Sequence, residues 1–421
     1  MKRTTRLSYH IKKVFRVLGP GVITGASDDD PSGIATYSQA GAQFGYATLW
    51  TALLTFPLMA AIQGMCARIG IVTSQGLTVT LKKYYPKSIL YLVLLFSFPA
   101  ITLNIGADIQ GMGAVAHMVV PQVPAFTFSI LFTAILMFII IQYSYQRLAL
   151  ILKWLCLSLL LYIIVPFMVK QDWKMVLKSA ILPTVRFNRE FIEILVALMG
   201  TTISPYLFFW QATMEAESAA HRKRKILVDK KIMNNMKEDV NIGMLLSNIV
   251  MFFIILTTGS VLYKNGITQI ETVDQAAKAL EPLVGNLAYI VFTIGVLGTG
   301  FLAIPVLAGS QSYMLAETFG WNEGLDKKFA TAKPFYITII ISLLVGLCMD
   351  FIGISPIKAL VYTAILYGIT APILIAVIMH IGNNKKIMNQ YTNSKLSNVL
   401  GGMTLLLMTL AAIVLIYFQF K

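Results

Sequence analysis

The chain has 421 residues, 57% of them hydrophobic and only 13% charged, with a mean hydropathy of +0.73. A soluble domain carries roughly 25% charged residues, so these proportions exclude an ordinary water-soluble fold. A formal net charge of +15 would point to nucleic acid in a soluble protein, but here its distribution along the chain has a topological explanation.

Windows of about 20 residues give eleven candidate membrane spans. The basic start "MKRTTRLSYHIKKVFR" leads into the first without a small-residue cleavage pattern, so no signal peptide is expected. Span one, 18–43, is too long and interrupted for a plain helix. It contains "SDDDPSG" at 27–33, with Asp28, Asp29 and Asp30 followed by the helix-breaking Pro31. A charge at a helix centre costs roughly 2.5–3.5 kcal/mol on insertion scales, so intramembrane acids mark function by default. Span two is 47–67. Span three, 88–116, carries Asn104 and Asp108 four apart on one helical face, beside Gly106, Gly111 and Gly113. Spans four and five are 125–142 and 150–169, and a loop follows at 170–189.

Span six, 190–213, is interrupted at "MGTTISPYLFFW" by Pro205, and offers the oxygens of Thr201, Thr202 and Ser204. The charged stretch 214–239 reads as a loop with helical character. Spans seven to nine are 240–262, 286–315 and 334–352. Span ten, 356–380, carries Thr363, Tyr367 and Thr370 as one polar stripe, and span eleven is 397–419.

Of the 34 basic residues, 25 fall on the N-terminal side of these spans and 9 on the other. The positive-inside rule then predicts a multi-pass protein of the cell membrane, with a cytoplasmic N-terminus and an external C-terminus. The loop 170–189 breaks the bias with Lys170, Lys174, Lys178, Arg186 and Arg189. The cluster "HRKRK" at 221–225 reads as a topology signal rather than a nucleic-acid or headgroup site. Cys66, Cys156 and Cys348 are solitary and the four histidines are scattered, which argues against a zinc site or disulfide framework.

Two interrupted spans, five apart and of opposite orientation, are the mark of an inverted-repeat transporter. The expected fold is all-α and polytopic: one transmembrane domain over 1–421, with repeat one at about 18–169, repeat two at about 190–380 and an added helix at about 397–419. Carboxylates beside carbonyls freed at a break make a cation site, since all are hard oxygen donors.

The stretch "GPGVITGASDDDPSGIATYSQAGAQFGYATLW" resembles the Nramp family of divalent metal transporters, which share the LeuT-type inverted repeat. The family pattern is a GPG opening, Asp-Pro-Gly-Asn at the break and a QAGAQFGY-like continuation. The resemblance places Asp30 on the metal-binding Asp and Pro31 on its Pro. It puts Ser32 where the family has Gly, and Gly33 where it has a metal-binding Asn. In span six, Thr201-Thr202-Ile203-Ser204-Pro205-Tyr206 stands where the family has Ala-Thr-Val-Met-Pro-His. Ser204 thus replaces a soft thioether, Tyr206 replaces the His linked to proton movement, and Gly111 replaces an acid one turn beyond Asp108. These departures are similar to the divergent Nramp-related magnesium transporter branch.

The expected function is alternating-access transport of Mg2+ and Mn2+ as substrates, with weak or no proton coupling. Asp30, Thr201, Ser204, Asp29 and Asp108 are the expected metal residues. Asp28, Gly33, Asn104 and Thr202 are expected in the vestibule or around the ion's hydration shell. No catalytic residue, resident cofactor, nucleic acid or obligate protein partner is expected; the partners are divalent ions and the lipid bilayer. The alternative is a proton-coupled Mn2+/Fe2+ importer of ordinary Nramp type. A cation-coupled amino-acid symporter is disfavoured because a substrate carboxylate would meet acids at the break. An intramembrane aspartyl protease is disfavoured because Asp30 and Asp108 lack a GxGD-type context.

Overall fold

The computed structural model describes residues 19–143, 161–221 and 229–419. The basic start, most of the predicted fifth span with Cys156, and all but His221 of "HRKRK" lie outside them.

The described residues form helices and no strand. Span one is two helices, α1 (Pro20–Asp28) and α2 (Pro31–Phe44). They are followed by α3 (Leu49–Thr73), the short α4 (Leu77–Tyr84), α5 (Lys87–Val119) and α6 (Ala125–Gln142). After α7 (Leu161–Met168) and α8 (Trp173–Ile181), span six is α9 (Arg189–Thr202) and α10 (Pro205–His221). Then come α11 (Lys230–Val261), α12 (Ala288–Phe319), α13 (Lys333–Leu347), α14 (Pro356–Asn383) and α15 (Lys395–Gln419). Among the described residues nine helices are long and apolar enough to cross a membrane, with α9 and α10 taken together.

Both breaks fall where the sequence places them. Of the charged stretch 214–239, expected as a loop with helical character, α10 takes the residues up to His221 and α11 those from Lys230. Asp229 caps α11, its side chain accepting from Ile232 N at 2.8 Å, which explains the early start. The loop at 170–189 likewise holds α8, capped by Asp172, which accepts from Lys174 N and Met175 N. Val176 and Ala180 of α8 are buried, whereas Trp173, Leu177 and Ile181 are exposed along one stripe. Lys174 and Lys178 therefore sit on a surface helix with an apolar face, the form of an interfacial segment. Such a helix accounts for basic residues that run against the topology bias.

Pro57, Pro99, Pro305 and Pro372 lie inside unbroken helices. Proline therefore does not suffice to break a span here; the breaks coincide with proline preceded by polar residues able to take up the freed backbone groups. Close helix crossings fix the frame around them. A Cβ on Gly200 of α9 would come within 2.1 Å of Ala364 O and 2.3 Å of Gly368 N on α14, so only glycine permits that approach. Cys66 is buried and Cys348 exposed, and both are free.

Candidate cation site at the paired helix breaks

Asp30 occupies the N-cap of α2 with extended backbone, φ −67° and ψ 171°, and Pro31 supplies the first helical residue. Proline is suited there because its missing N–H has no intrahelical partner in any case. The Asp30 carboxylate accepts from Gly33 N at 2.7 Å, the usual cap to the third residue. Asp108 of α5 accepts from Ser32 N at 3.2 Å, so two carboxylates share the positive end of α2. Asn104, one turn before Asp108, joins them: its Nδ2 donates to Asp30 Oδ2 at 2.9 Å and to Asp108 Oδ2 at 3.4 Å. Its Oδ1 is buried and has no partner among the described residues.

Asp28 and Asp29 turn the other way. Ser247 of α11 lies 2.7 Å from Asp28 Oδ2 and 3.3 Å from Asp29 Oδ1. A hydroxyl has one hydrogen for these two carboxylates. Asp28 also sits at the negative end of α1, and its Oδ1 lacks a partner. Among the described residues no lysine or arginine bonds Asp28, Asp29, Asp30 or Asp108. The four are 0%, 5%, 2% and 0% exposed, so Asp28 faces no open vestibule in this conformation. Four buried acids with no cationic side chain leave a strong demand for positive charge.

At the second break, Pro205 cannot donate to the carbonyl of Thr201. Ser204 Oγ does so instead at 2.5 Å, with Gly200 O at 3.2 Å. The Ser204 proton therefore serves the helix end, and only its lone pairs remain for an ion. Thr202 Oγ1 donates back to Leu198 O at 2.8 Å, turned into its own helix. Tyr206 links the two breaks, its hydroxyl donating to Ser27 O at 2.9 Å. In α14, Thr363 and Thr370 bond back to Leu360 O and Leu366 O. Tyr367 alone of that stripe keeps a buried hydroxyl without a partner, its ring 5.9 Å from that of Tyr206. Ser32 Oγ donates to Leu360 O at 2.8 Å and ties α2 to α14.

Gly33 faces the gap between the breaks. A Cβ there would lie 3.3 Å from Asp28 O, 3.3 Å from Thr201 Oγ1 and 3.4 Å from Tyr37 Cε2. A Cβ on Gly111 would instead meet Leu360 Cδ1 at 3.1 Å, an apolar surrounding. The fold thus gathers Asp30, Asn104 and Asp108 into one bonded group, sets Thr201 beside Gly33, and leaves Thr202 and Gly111 turned elsewhere. Sequence reasoning missed Tyr37 and Ser247. Tyr37 was within reach, one turn after Gly33; Ser247, alone with Asn248 in an apolar run, gave almost no signal.

A model of the family described as "Natural resistance-associated macrophage protein-like" matches residues 21–418. The chain belongs to the Nramp family. Among Nramp relatives, a protein named divalent metal cation transporter MntH from Caldanaerobacter subterraneus is 24% identical over 407 residues, covering 95% of this chain and 92% of that one. One of the same name from Mycobacterium leprae is 24% identical over 417 residues, covering 97% and 93%. The fold is similar to that of the Eremococcus coleocola manganese transporter, solved with an aromatic bis-isothiourea compound. The TM-score is 0.76 at 16% identity, covering 96% of this chain and 87% of that one. It is also similar to Mhp1, a nucleobase-cation-symport-1 family transporter, with TM-score 0.54 at 12% identity, covering 94% and 92%. These likenesses establish the LeuT-type fold expected from the two breaks.

Proposed function

We propose that this Nramp protein carries divalent cations by alternating access, with Mg2+ a principal substrate, Mn2+ also accepted, and weak or no proton coupling. The observation that carries this reading is the donor set. Asp30, Asp108, the unpartnered Asn104 Oδ1, Thr201 and the Ser204 lone pairs are all hard oxygens. Thioether and imidazole ligands select transition ions, and none has been placed among these groups. Mg2+ dehydrates reluctantly and usually keeps several waters. With no side chain at Gly33, the Asp28 carbonyl and the Thr201 hydroxyl add two more hard oxygens beside Asp30, each 3.3 Å from where a Cβ would stand.

In this reading Asp30 neutralises the ion, Thr201 and Ser204 line the opposite wall, and Asp28, Asp29 and Asp108 attract it or hold its outer water. Asn104 keeps Asp30 and Asp108 in register through its amide. Tyr206 in place of a histidine, its proton already given to Ser27 O, supports the loss of a proton path. The same proposal keeps one transporter domain with repeats at about 18–169 and 190–380. It also keeps the N-terminus cytoplasmic and the C-terminus external, as the basic-residue bias supports.

A second reading, proton-coupled Mn2+/Fe2+ import, is favoured by the manganese named for the Eremococcus structure. Competition uptake in proteoliposomes with Mg2+, Mn2+ and Ca2+, read beside internal pH, separates the two. Mg2+ competing with Mn2+ at unchanged internal pH supports the proposal. Lumenal acidification during Mn2+ entry, with Mg2+ inert, overturns it in favour of the second reading.

A further inference from the structure

Between the half-helix α1 and the long α11 lies a seam with carboxylates bonded at both of its ends. At the α1 N-terminus, Asp239 of α11 reaches across: its Oδ1 accepts from Gly19 N at 3.1 Å and its Oδ2 from Gly21 N at 2.7 Å. Asp239 is only 4% exposed, and it caps a helix whose own N-cap residue, Gly19, has no side chain to do so. These are orphan backbone donors at the positive end of α1, satisfied in trans by a carboxylate.

Along the middle of the seam the backbones touch. A Cβ on Gly25 would come within 2.3 Å of Gly243 O, one on Gly243 within 2.1 Å of Gly21 O, and one on Gly21 within 2.7 Å of Val240 Cα. Gly21 and Gly25 are four apart, the small-xxx-small spacing that lets membrane helices meet face to face. At the far end Ser247, two turns beyond Asp239, bonds Asp28 and Asp29. The opposite seam, against α10, carries neutral side-chain bonds, Thr24 Oγ1 donating to Gln211 Oε1 at 2.6 Å and Tyr206 OH to Ser27 O at 2.9 Å. Bonds to ionised groups are roughly twice as strong as neutral ones.

We infer that α1 and the N-terminal half of α11 form one clamped unit, with Asp239 the residue that positions the ion-site aspartates through α1. The clamp rests on the alternating-access reading above. When the site opens to the cytoplasm, α1 parts from α10 along the Thr24–Gln211 seam and stays fastened to α11. Asp239 acts at a distance: nine residues of helix place it about 13 Å from Asp28 at 1.5 Å per residue. Asp239 touches no ion; it holds the lever on which Asp28 and Asp29 ride.

The test uses the full chain with Cys66, Cys156 and Cys348 replaced by serine, in inside-out membrane vesicles. Single cysteines report each seam: Thr24→Cys for α1–α10 and Val240→Cys for α1–α11, both buried in the parent. During Mg2+ or Mn2+ cycling, a membrane-impermeant thiol reagent should modify T24C at least about tenfold faster than V240C, since only one seam opens. In Asp239→Ala, V240C should become as reactive as T24C. The KM per folded molecule should rise about fivefold, a shift typical of coupling through a packed network and one that a mere loss of folded protein would not produce. Equal modification of the two cysteines in the otherwise parent chain, or an unmodified T24C, overturns the clamp. So does an unchanged KM in D239A with V240C still protected. Should D239A fail to fold, the comparison of T24C with V240C decides by itself. If the parent moved neither Mg2+ nor Mn2+, the substrate reading alone would fail, and the clamp would be judged by the same labelling ratio in ion-free vesicles, where the empty carrier reorients.

Discussion

Replacing Asp30 with asparagine removes one charge from the candidate site while sparing the helix it caps. In the parent, Asp30 Oδ1 holds Gly33 N at 2.7 Å and Oδ2 receives Asn104 Nδ2 at 2.9 Å. An asparagine can keep the first bond through its amide oxygen. Its amide nitrogen then faces Asn104, which turns over and presents its Oδ1, unpartnered in the parent. The fold is therefore nearly unaffected, whereas Asp30→Ala loses the cap and costs about 1 kcal/mol. The ion loses far more. A carboxylate about 4 Å from a doubly charged ion contributes roughly 8 kcal/mol of gross attraction at an effective dielectric of about 20. An amide dipole and rearranged water recover much of this, so we expect a net loss of at least about 3 kcal/mol, or roughly 100-fold in uptake efficiency. The assay is initial Mg2+ and Mn2+ flux into proteoliposomes, normalised to folded protein, with thermal unfolding measured alongside. Asp30→Asn transport within about threefold of the parent, less than 1 kcal/mol, would refute the assignment of Asp30 as the neutralising ligand.

Three further outcomes follow from the same geometry. Ser204→Met puts a soft sulfur at the second break, and competition uptake should shift towards Mn2+ over Mg2+ by about tenfold; an unchanged ratio would mean that residue 204 does not face the ion. Gly200→Ala forces a Cβ against Ala364 O and Gly368 N, so overpacking should lower stability by about 1–3 kcal/mol, seen as a lower Tm in detergent. Glu323, in the loop after α12, has its pKa raised to about 8 by burial first and then by Glu317 and Glu217, with Lys327 opposing. Its neutral form is thus favoured in the folded state, and its stabilisation is complete below about 4.5 and lost as pH rises through about 8. The parent Tm should fall between about pH 5 and 8, and Glu323→Gln should remove that part of the slope.

The sequence by itself determined the class of protein, the spans that fall among the described residues and the two breaks. The reason is local: hydrophobic length decides what crosses a bilayer, and Asp30–Pro31–Ser32–Gly33 is a cap followed by a helix start wherever it stands. Thr201 to Pro205 likewise announces a freed carbonyl, although nothing local says that Ser204 would take it. At 214–239 charge suggested a loop with helical character, and the Asp229 cap carries α11 ten residues further than its apolar run.

Only the tertiary structure decided how the three consecutive aspartates divide. Asp30 turns to Asn104 and Asp108 on α5, whereas Asp28 and Asp29 turn to Ser247 on α11. The partners lie 74 to 219 residues away in sequence. No periodicity within span one could distinguish the acids, because their difference arises where α1 ends, α2 begins, and each half-helix meets a different neighbour. Asp239 is the extreme case: one more acid in a charged stretch by sequence, and the cap of another helix once α11 is laid against α1.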